Sequence, residues 1–490
     1  MTTTEIAPES VGRRATRGLK WSLAGTLVHK LGSFALGLAL ARLLAPADFG
    51  VFAVAFATMQ LVMVVNDVGL IAATVQWRGS LDEVAPTATV MATAFSVLVY
   101  TGFWFAAPLI AHVSAVPEAT GVIRLLTVVI LIDGVTAVRS AALMRTFRQD
   151  RLIIANLAGM AVNAVAAILL ALAGAGAYAF AGGLVAGAAV TGVLVFTWAA
   201  VPLRLALDRS VARRLMIFGV PLAASLGVEA ILINAAYIVV GNISGAVQLG
   251  YFLLAFNIST WALSIITSAV RYVSVAGFSR LSEVDAETLS AAVQQSMPVL
   301  FTVLLPIVVL CAALASALVA VLYGSTWGAA ARVLPFLMVL TVVRVLTSFA
   351  LDILIGAGAT RAALRLYLVW AAALLPALVF ATTQDGIRGA AIAHAVVGLT
   401  VALPVTFLAL HKVGVRLAPM APALVRPLLA GAATGVLALA VARVAGPHPL
   451  VVLVTAGGAG LALYVAVAVG PAGLRRGLRL IRREESHAVE

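Results

Sequence analysis

Charged residues are scarce in this chain. Asp, Glu, Lys and Arg make up 10% of its 490 residues, while apolar types make up 63%. A soluble globular protein has about 25% charged and about 45–50% apolar residues. This deficit excludes a cytosolic enzyme and a disordered chain. The apolar surplus instead indicates an integral membrane protein with most of its mass in lipid.

Cysteine is nearly absent, and so are the common nucleotide-binding and catalytic motifs. Cys311 is the single cysteine, so an intrachain disulfide is excluded and the redox compartment stays open. The sequence contains no G-x-x-x-x-G-K-[ST], H-E-x-x-H or G-x-S-x-G motif. The loops are too short to hold a folded catalytic domain. We therefore expect a protein that is not an enzyme and has no cofactor.

Long apolar runs fill the rest of the chain, and each is long enough for a spanning helix of about 20 residues. They predict an all-α integral membrane protein with about 14 transmembrane helices. The predicted spans are 21–44, 50–76, 87–112, 122–144, 152–174, 177–200, 215–240, 247–275, 297–323, 333–356, 362–381, 387–410, 423–443 and 449–470.

The basic residues alternate between the loops on the two sides of the membrane. With the N-terminus inside, 22 of the 32 Lys and Arg residues fall in inner segments, whereas the outer loops hold Arg332 and Arg388. This bias predicts a membrane protein with both termini cytoplasmic. The net charge of +13 is then explained by the membrane surface, and no nucleic-acid partner is expected.

An internal repeat relates two parts of the chain. Residues 49–58 (FGVFAVAFAT) match residues 249–258 (LGYFLLAFNI) at an offset of 200, with the identities Gly50/Gly250, Phe52/Phe252, Ala55/Ala255 and Phe56/Phe256. A six-helix repeat unit predicts two pseudo-symmetric lobes. The predicted domains are a cytoplasmic N-terminal segment (1–20), an N-lobe (21–205), a C-lobe (206–412), spans 13 and 14 (413–472) and a basic cytoplasmic tail (473–490).

The segment that ends span 1 and opens span 2 carries a family resemblance. Residues 17–21 read RGLKW, and residues 40–55 read LARLLAPADFGVFAVA. They resemble the opening of polysaccharide flippases of the Wzx or teichuronic-acid-exporter type, in the multidrug/oligosaccharidyl-lipid/polysaccharide exporter superfamily. The Arg42…Pro46…Asp48-Phe49-Gly50 stretch is the most specific part.

The resemblance implies two six-helix lobes that move an undecaprenyl-diphosphate-linked oligosaccharide from the inner to the outer leaflet by alternating access. Cell-surface polysaccharide biosynthesis would be the pathway, and a bacterial-type inner (plasma) membrane would be the location. The implied partners are the lipid-linked oligosaccharide, membrane lipids and polysaccharide-assembly proteins. A lipid II flippase or a multidrug/cation antiporter of the same superfamily is the alternative, and a membrane polysaccharide polymerase is a weaker one.

Charges within the predicted spans are candidate functional residues, because a charge at bilayer depth is costly unless it is paired or faces water. The candidate diphosphate ligands are the cations Lys30, Arg139, Arg271 and Arg344. The candidate sugar ligands are Asn66, Asn234 and Asn257. The candidate residues for H⁺ or Na⁺ coupling are Asp67, Asp133 and Glu229. The alternative is that these acids and bases pair with one another inside the bundle and only stabilise it.

Overall fold

The computed structural model describes residues 8–67, 74, 81–146, 148–199, 201, 206–278, 286–356 and 359–470. Every long element within these ranges is an α-helix, which confirms the predicted fold class. The helices are α1 (Pro8–Leu43), α2 (Pro46–Asp67), α3 (Leu81–Val113), α4 (Ala119–Leu126), α5 (Val128–Arg145), α6 (Gln149–Leu172), α7 (Tyr178–Trp198), α8 (Arg209–Phe278), α9 (Ala286–Ala313), α10 (Ala315–Leu322), α11 (Gly328–Gly356), α12 (Thr360–Val397), α13 (Leu403–Lys412), α14 (Ala421–Val444) and α15 (Pro449–Tyr464). The predicted basic tail, 473–490, lies outside the described residues.

Two of the longest helices are interrupted by residues with non-helical backbone angles. In α8 the break is at Gly245, and in α12 it is at Asp385 and Gly386. The described residues contain 11 stretches that are long and apolar enough to cross a membrane, and each of these breaks divides one such stretch into two. Each of the fourteen predicted spans overlaps a helix, but α1 is not among these 11 stretches.

The chain divides into two compact units, Met1–Gly250 and Tyr251–Glu490. This boundary lies within the second half of α8 (246–278), about one span later than the predicted lobe boundary at 205/206. The two six-helix lobes therefore stay a prediction.

Small residues bring the helices of the first unit together. A Cβ on Gly187 of α7 would lie 2.6 Å from the carbonyl oxygen of Gly159 on α6, and one on Gly183 would lie 2.6 Å from Asn163 Oδ1. Such close backbone approach is typical of helix packing in membranes, where van der Waals contact replaces the hydrophobic effect. The small-residue pattern of α7 thus serves packing within the first unit.

In the second unit the C-terminal hairpin packs onto α9 and α10. Leu314 and Ala317 share a buried cluster with Ala438 of α14 and with Val452 and Ala456 of α15. A second cluster joins Leu305 of α9 to Ala430 and Tyr464. Spans 13 and 14 are therefore integral parts of this unit.

The 200-residue repeat has a structural counterpart within the first unit. A Cβ on Gly50 would collide with the carbonyl oxygen of Ala246 and lie 2.6 Å from its carbonyl carbon. A Cβ on Gly250 would collide in the same way with Pro46 and lie 2.8 Å from its carbonyl carbon. Pro46 and Ala246 are themselves 200 residues apart. The contact is therefore reciprocal, as at a two-fold axis.

Candidate functional site

The stretch that carries the family resemblance forms the corner between α1 and α2. Pro46 is the first residue of α2, where a missing N–H costs nothing. The Asp48 carboxylate reaches back to accept a hydrogen bond of 3.0 Å from the backbone N–H of Ala45, as in a capping box. The Phe49 ring packs edge-on against Phe180 with 4.8 Å between centroids. Asp48 and Phe49 of this stretch thus serve helix capping and packing.

A cavity of about 520 Å³ opens within the first unit among α1, α2, α5, α6 and α7. Its volume falls in the range of small-molecule sites, about 300–1,000 Å³. The polar side chains in its lining are Thr26, His29, Asn156, Asn163 and Thr191. Among the residues that the structure describes, the lining includes no carboxylate, lysine or arginine. Neutral donors and acceptors of this kind suit a ligand rich in hydroxyl groups.

A buried polar network joins α2, α3 and α5 in the same unit. Ser96 Oγ donates a 2.7 Å hydrogen bond to Asn66 Oδ1, and Asn66 Nδ2 donates one of 3.4 Å to Asp133 Oδ2. Asn66 and Ser96 are almost fully buried. Gly134 makes room for the network, because a Cβ there would collide with Ser96 Oγ. The structure thus brings together Asn66, a predicted sugar ligand, and Asp133, a predicted coupling residue.

Arg139 is enclosed in the first unit, with 2% of its surface exposed. Its guanidinium lies 3.9 Å from the centroid of the Phe196 ring, and Nη2 donates a 3.2 Å hydrogen bond to the carbonyl oxygen of Val201. Arg151 donates a similar bond, 3.2 Å long, to the carbonyl oxygen of Trp198. Both arginines satisfy carbonyls at and beyond the C-terminus of α7, where a positive charge is favourable. These contacts give Arg139 a structural role, and its role as a diphosphate ligand stays a prediction.

Arg344 lies in the second unit and is only part-buried. Its guanidinium is 5.7 Å from the centroid of the Phe256 ring, and Nη1 donates to Thr260 Oγ1 at 3.4 Å. Phe256 and Thr260 are one turn apart on α8, so they present one face to Arg344. A cation held against an aromatic ring keeps its N–H groups oriented for an anion.

The other predicted site residues are more scattered. Lys30 is part-buried on α1, beside the cavity-lining residue His29. Asn234 is buried and donates to the carbonyl oxygen of Ala230 at 2.9 Å, whereas Asn257 is exposed. The side chains of Asp67, Glu229 and Arg271 lie outside the described residues.

Sequence reasoning missed several polar residues of these sites, namely Ser96, Asn156, Asn163 and His394. Ser96 and the two asparagines carry no charge, so a search for charges within spans passes over them. His394 is the exception, since a histidine within a predicted span was a visible signal. No group of three His, Cys, Asp or Glu side chains within the described ranges is arranged to hold a metal ion.

Comparison with known proteins gives a consistent result. Over 341 residues the chain is 28% identical to the succinoglycan biosynthesis transport protein ExoT of Rhizobium meliloti (strain 1021), covering 68% of this chain and 67% of that protein. The fold matches the lipid II flippase MurJ in an inward closed conformation, with a TM-score of 0.72, 11% identity, and coverage of 92% of this chain and 98% of MurJ.

An inward-facing multidrug resistance MATE family transporter of the MOP superfamily has a TM-score of 0.64 at 17% identity, and the match covers 79% of this chain and 94% of that one. These likenesses show that the chain shares the fold of these two proteins. The family model described as "Polysaccharide biosynthesis protein" matches residues 39–332. The chain therefore belongs to the polysaccharide biosynthesis protein family.

Proposed function

We propose that this transporter carries an undecaprenyl-diphosphate-linked oligosaccharide from the inner to the outer leaflet by alternating access, for cell-surface polysaccharide biosynthesis. The family match and the succinoglycan transport protein support a saccharide cargo. The basic inner loops support a location in the inner membrane with both termini cytoplasmic. Proteins of polysaccharide assembly are the expected partners.

The cavity of the first unit is the observation that carries this proposal. A sugar presents many hydroxyl groups and no net charge, so it is best matched by amide, hydroxyl and imidazole groups such as those of Asn156, Asn163, Thr191 and His29. A cationic drug would instead be favoured by a carboxylate, and the described part of the cavity lining contains none. This contrast favours the oligosaccharide over the multidrug antiporter alternative.

The diphosphate needs fixed cations while it crosses the bilayer. Arg344 is the candidate best supported by its surroundings, because its guanidinium is oriented by Phe256 and Thr260 and remains part-exposed. A guanidinium can bind a phosphoryl group through two parallel N–H donors. Lys30 is the second candidate. The polyprenyl tail needs no polar contacts, because it can stay in the lipid throughout.

Coupling to an H⁺ or Na⁺ gradient is part of the same proposal. Asp133 is the supported candidate, because an acid held in a buried network with Asn66 and Ser96 changes its hydrogen bonding when it binds a cation. Loss of either gradient is then expected to slow export. Export that is indifferent to both gradients would remove Asp133 from this role.

Deletion of the gene tests the cargo. We expect undecaprenyl-diphosphate-linked oligosaccharide to accumulate and surface polysaccharide to disappear. The wild-type gene should restore export and the Arg344→Ala gene should not. Arg388→Ala is the matched control, because Arg388 is half-exposed and its pair with Asp385, at 3.7 Å, is of the kind that contributes little. A deletion strain with normal polysaccharide and altered drug resistance would instead indicate a multidrug antiporter.

A further inference from the structure

His394 is a buried histidine in the second unit that the proposed function does not yet use. It lies on α12 after the break at Gly386, and 3% of its surface is exposed. Its imidazole stacks on Phe252 with 6.5 Å between centroids and leans against Phe256 at 6.3 Å. The ring therefore occupies an aromatic slot that a phenylalanine of similar shape would also fill.

One ring nitrogen of His394 has no partner in this slot. Nε2 is fully buried and makes no hydrogen bond to any described residue. A buried polar group without a hydrogen bond costs about 1–3 kcal/mol. Packing alone would thus favour phenylalanine here. The unused nitrogen is therefore available to a ligand that reaches the ring.

Arg344 packs against one ring of this aromatic pair. Its guanidinium lies 5.7 Å from the Phe256 centroid, and the His394 ring lies 6.3 Å from the same centroid. Phe252, Phe256 and Thr260 follow one another at intervals of four residues on α8, so they form one helix face. Arg344, Thr260 and His394 are thereby grouped around this face, and each can donate a hydrogen bond.

We propose that Arg344, Thr260 and His394 form a phosphoryl-binding site in the second unit, in which the Nε2–H of His394 is the second donor beside the guanidinium. The ligand is the diphosphate group of a polyprenyl diphosphate, so this inference rests on the proposed function. Arg344 supplies the charge and the paired donors. His394 supplies a neutral donor, which adds a hydrogen bond without placing a second full charge beside the guanidinium.

Binding of farnesyl diphosphate, a water-soluble polyprenyl diphosphate, to the purified full-length protein in nanodiscs tests the site. His394→Phe keeps an aromatic ring against Phe252 and Phe256 but removes the donor. Loss of a hydrogen bond to a charged group should weaken binding about tenfold or more, while the melting temperature is unchanged or higher. His394→Gln returns an N–H near the position of Nε2 and should recover part of the affinity. Arg344→Ala should abolish binding.

Trp370→Phe is the matched control. Trp370 lies on the same helix, is 5% exposed and has a buried Nε1 without a hydrogen-bond partner among the described residues. Its replacement should leave the affinity for farnesyl diphosphate unchanged. Wild-type affinity in His394→Phe, or an equal loss in Trp370→Phe, would overturn the proposal.

The proposed function fails separately from this site. A wild-type protein that exports oligosaccharide in cells but binds no farnesyl diphosphate, or binds it equally with and without His394, would overturn the site and leave the flippase intact. A protein that binds farnesyl diphosphate through His394 but whose deletion leaves polysaccharide export unchanged would support the site and contradict the flippase.

Discussion

Replacing Gly50 by alanine tests how closely α2 approaches α8 at Ala246, within the first unit. The new Cβ would collide with the Ala246 carbonyl oxygen and lie 2.6 Å from its carbonyl carbon, where ordinary contact begins at 3.4 Å. The helices must therefore separate by at least about 0.8 Å, because backbone atoms cannot rotate away as a side chain can. Overpacking of this kind costs about 1–3 kcal/mol, and the better helix propensity of alanine offsets up to about 1 kcal/mol. We expect a net loss of about 1–2 kcal/mol.

Gly102→Ala is the control for this substitution. Gly102 lies on α3, and a Cβ there would meet nothing within 4 Å. The control should be neutral or slightly stabilising, because only the propensity term remains. Thermal unfolding of the two variants in the same detergent, followed by tryptophan fluorescence, gives the comparison. Equal melting temperatures for Gly50→Ala and Gly102→Ala would refute the close crossing.

The double variant Gly50→Ala/Gly250→Ala tests whether the two glycines share one contact. Once the first alanine has separated the helices, the second meets less resistance. The two losses of stability should then sum to more than the loss in the double variant, by more than about 0.5 kcal/mol. Full additivity would show that the reciprocal contact between the repeats does not exist.

Three further substitutions probe the sites of the first unit. Ser96→Ala leaves the buried Asn66 Oδ1 without its donor, so the free energy of unfolding should fall by about 1–3 kcal/mol. An unchanged free energy of unfolding would contradict this hydrogen-bond network. Arg139→Lys keeps the charge but not the planar group stacked on Phe196, and should destabilise the protein nearly as much as Arg139→Ala. If Arg139→Lys were as stable as the wild type, the structural role of Arg139 would be contradicted. Hydrogen bonds from the Ser210 hydroxyl and backbone and from the Val211 N–H hold the pKa of Asp208, in the loop before α8, below its ordinary value of 3.8. The pKa of Asp208 is lower in the folded than in the unfolded protein. Ionised Asp208 therefore stabilises the fold at pH values above its unfolded pKa, and this contribution is lost as the pH falls through its folded pKa. The loss of stability at acid pH should be smaller in Ser210→Ala than in the wild type. An identical dependence of the free energy of unfolding on pH in the two proteins would contradict this role of the Ser210 hydroxyl.

The positions of the spanning helices could be predicted from the sequence because the bilayer sets both their length and their composition. The breaks at Gly245 and at Asp385–Gly386 fall where the predicted loops between spans 7 and 8 and between spans 11 and 12 were placed. The α1–α2 corner was recognised from its residues, although its capping role appears only in the structure.

The surroundings of the charged residues could not be predicted in the same way. A membrane helix is apolar toward lipid and toward its neighbours, so its sequence does not show which face a residue occupies. Arg139 and Arg344 therefore look alike in the sequence. The structure encloses Arg139 against Phe196 and the Val201 carbonyl, and leaves Arg344 part-exposed beside Phe256. The cavity residues Asn156 and Asn163 were missed because uncharged polar residues are common in spans.

Reconstitution into liposomes measures the proposed transport directly. Undecaprenyl-diphosphate-linked oligosaccharide is incorporated in both leaflets, and a membrane-impermeant glycosidase is added outside. A flippase predicts that wild-type protein exposes the inner-leaflet sugar to cleavage, whereas Arg344→Ala leaves it protected and Arg388→Ala behaves as wild type. Cleavage that stops at the outer-leaflet fraction with wild-type protein, as in protein-free liposomes, would contradict flipping of this lipid.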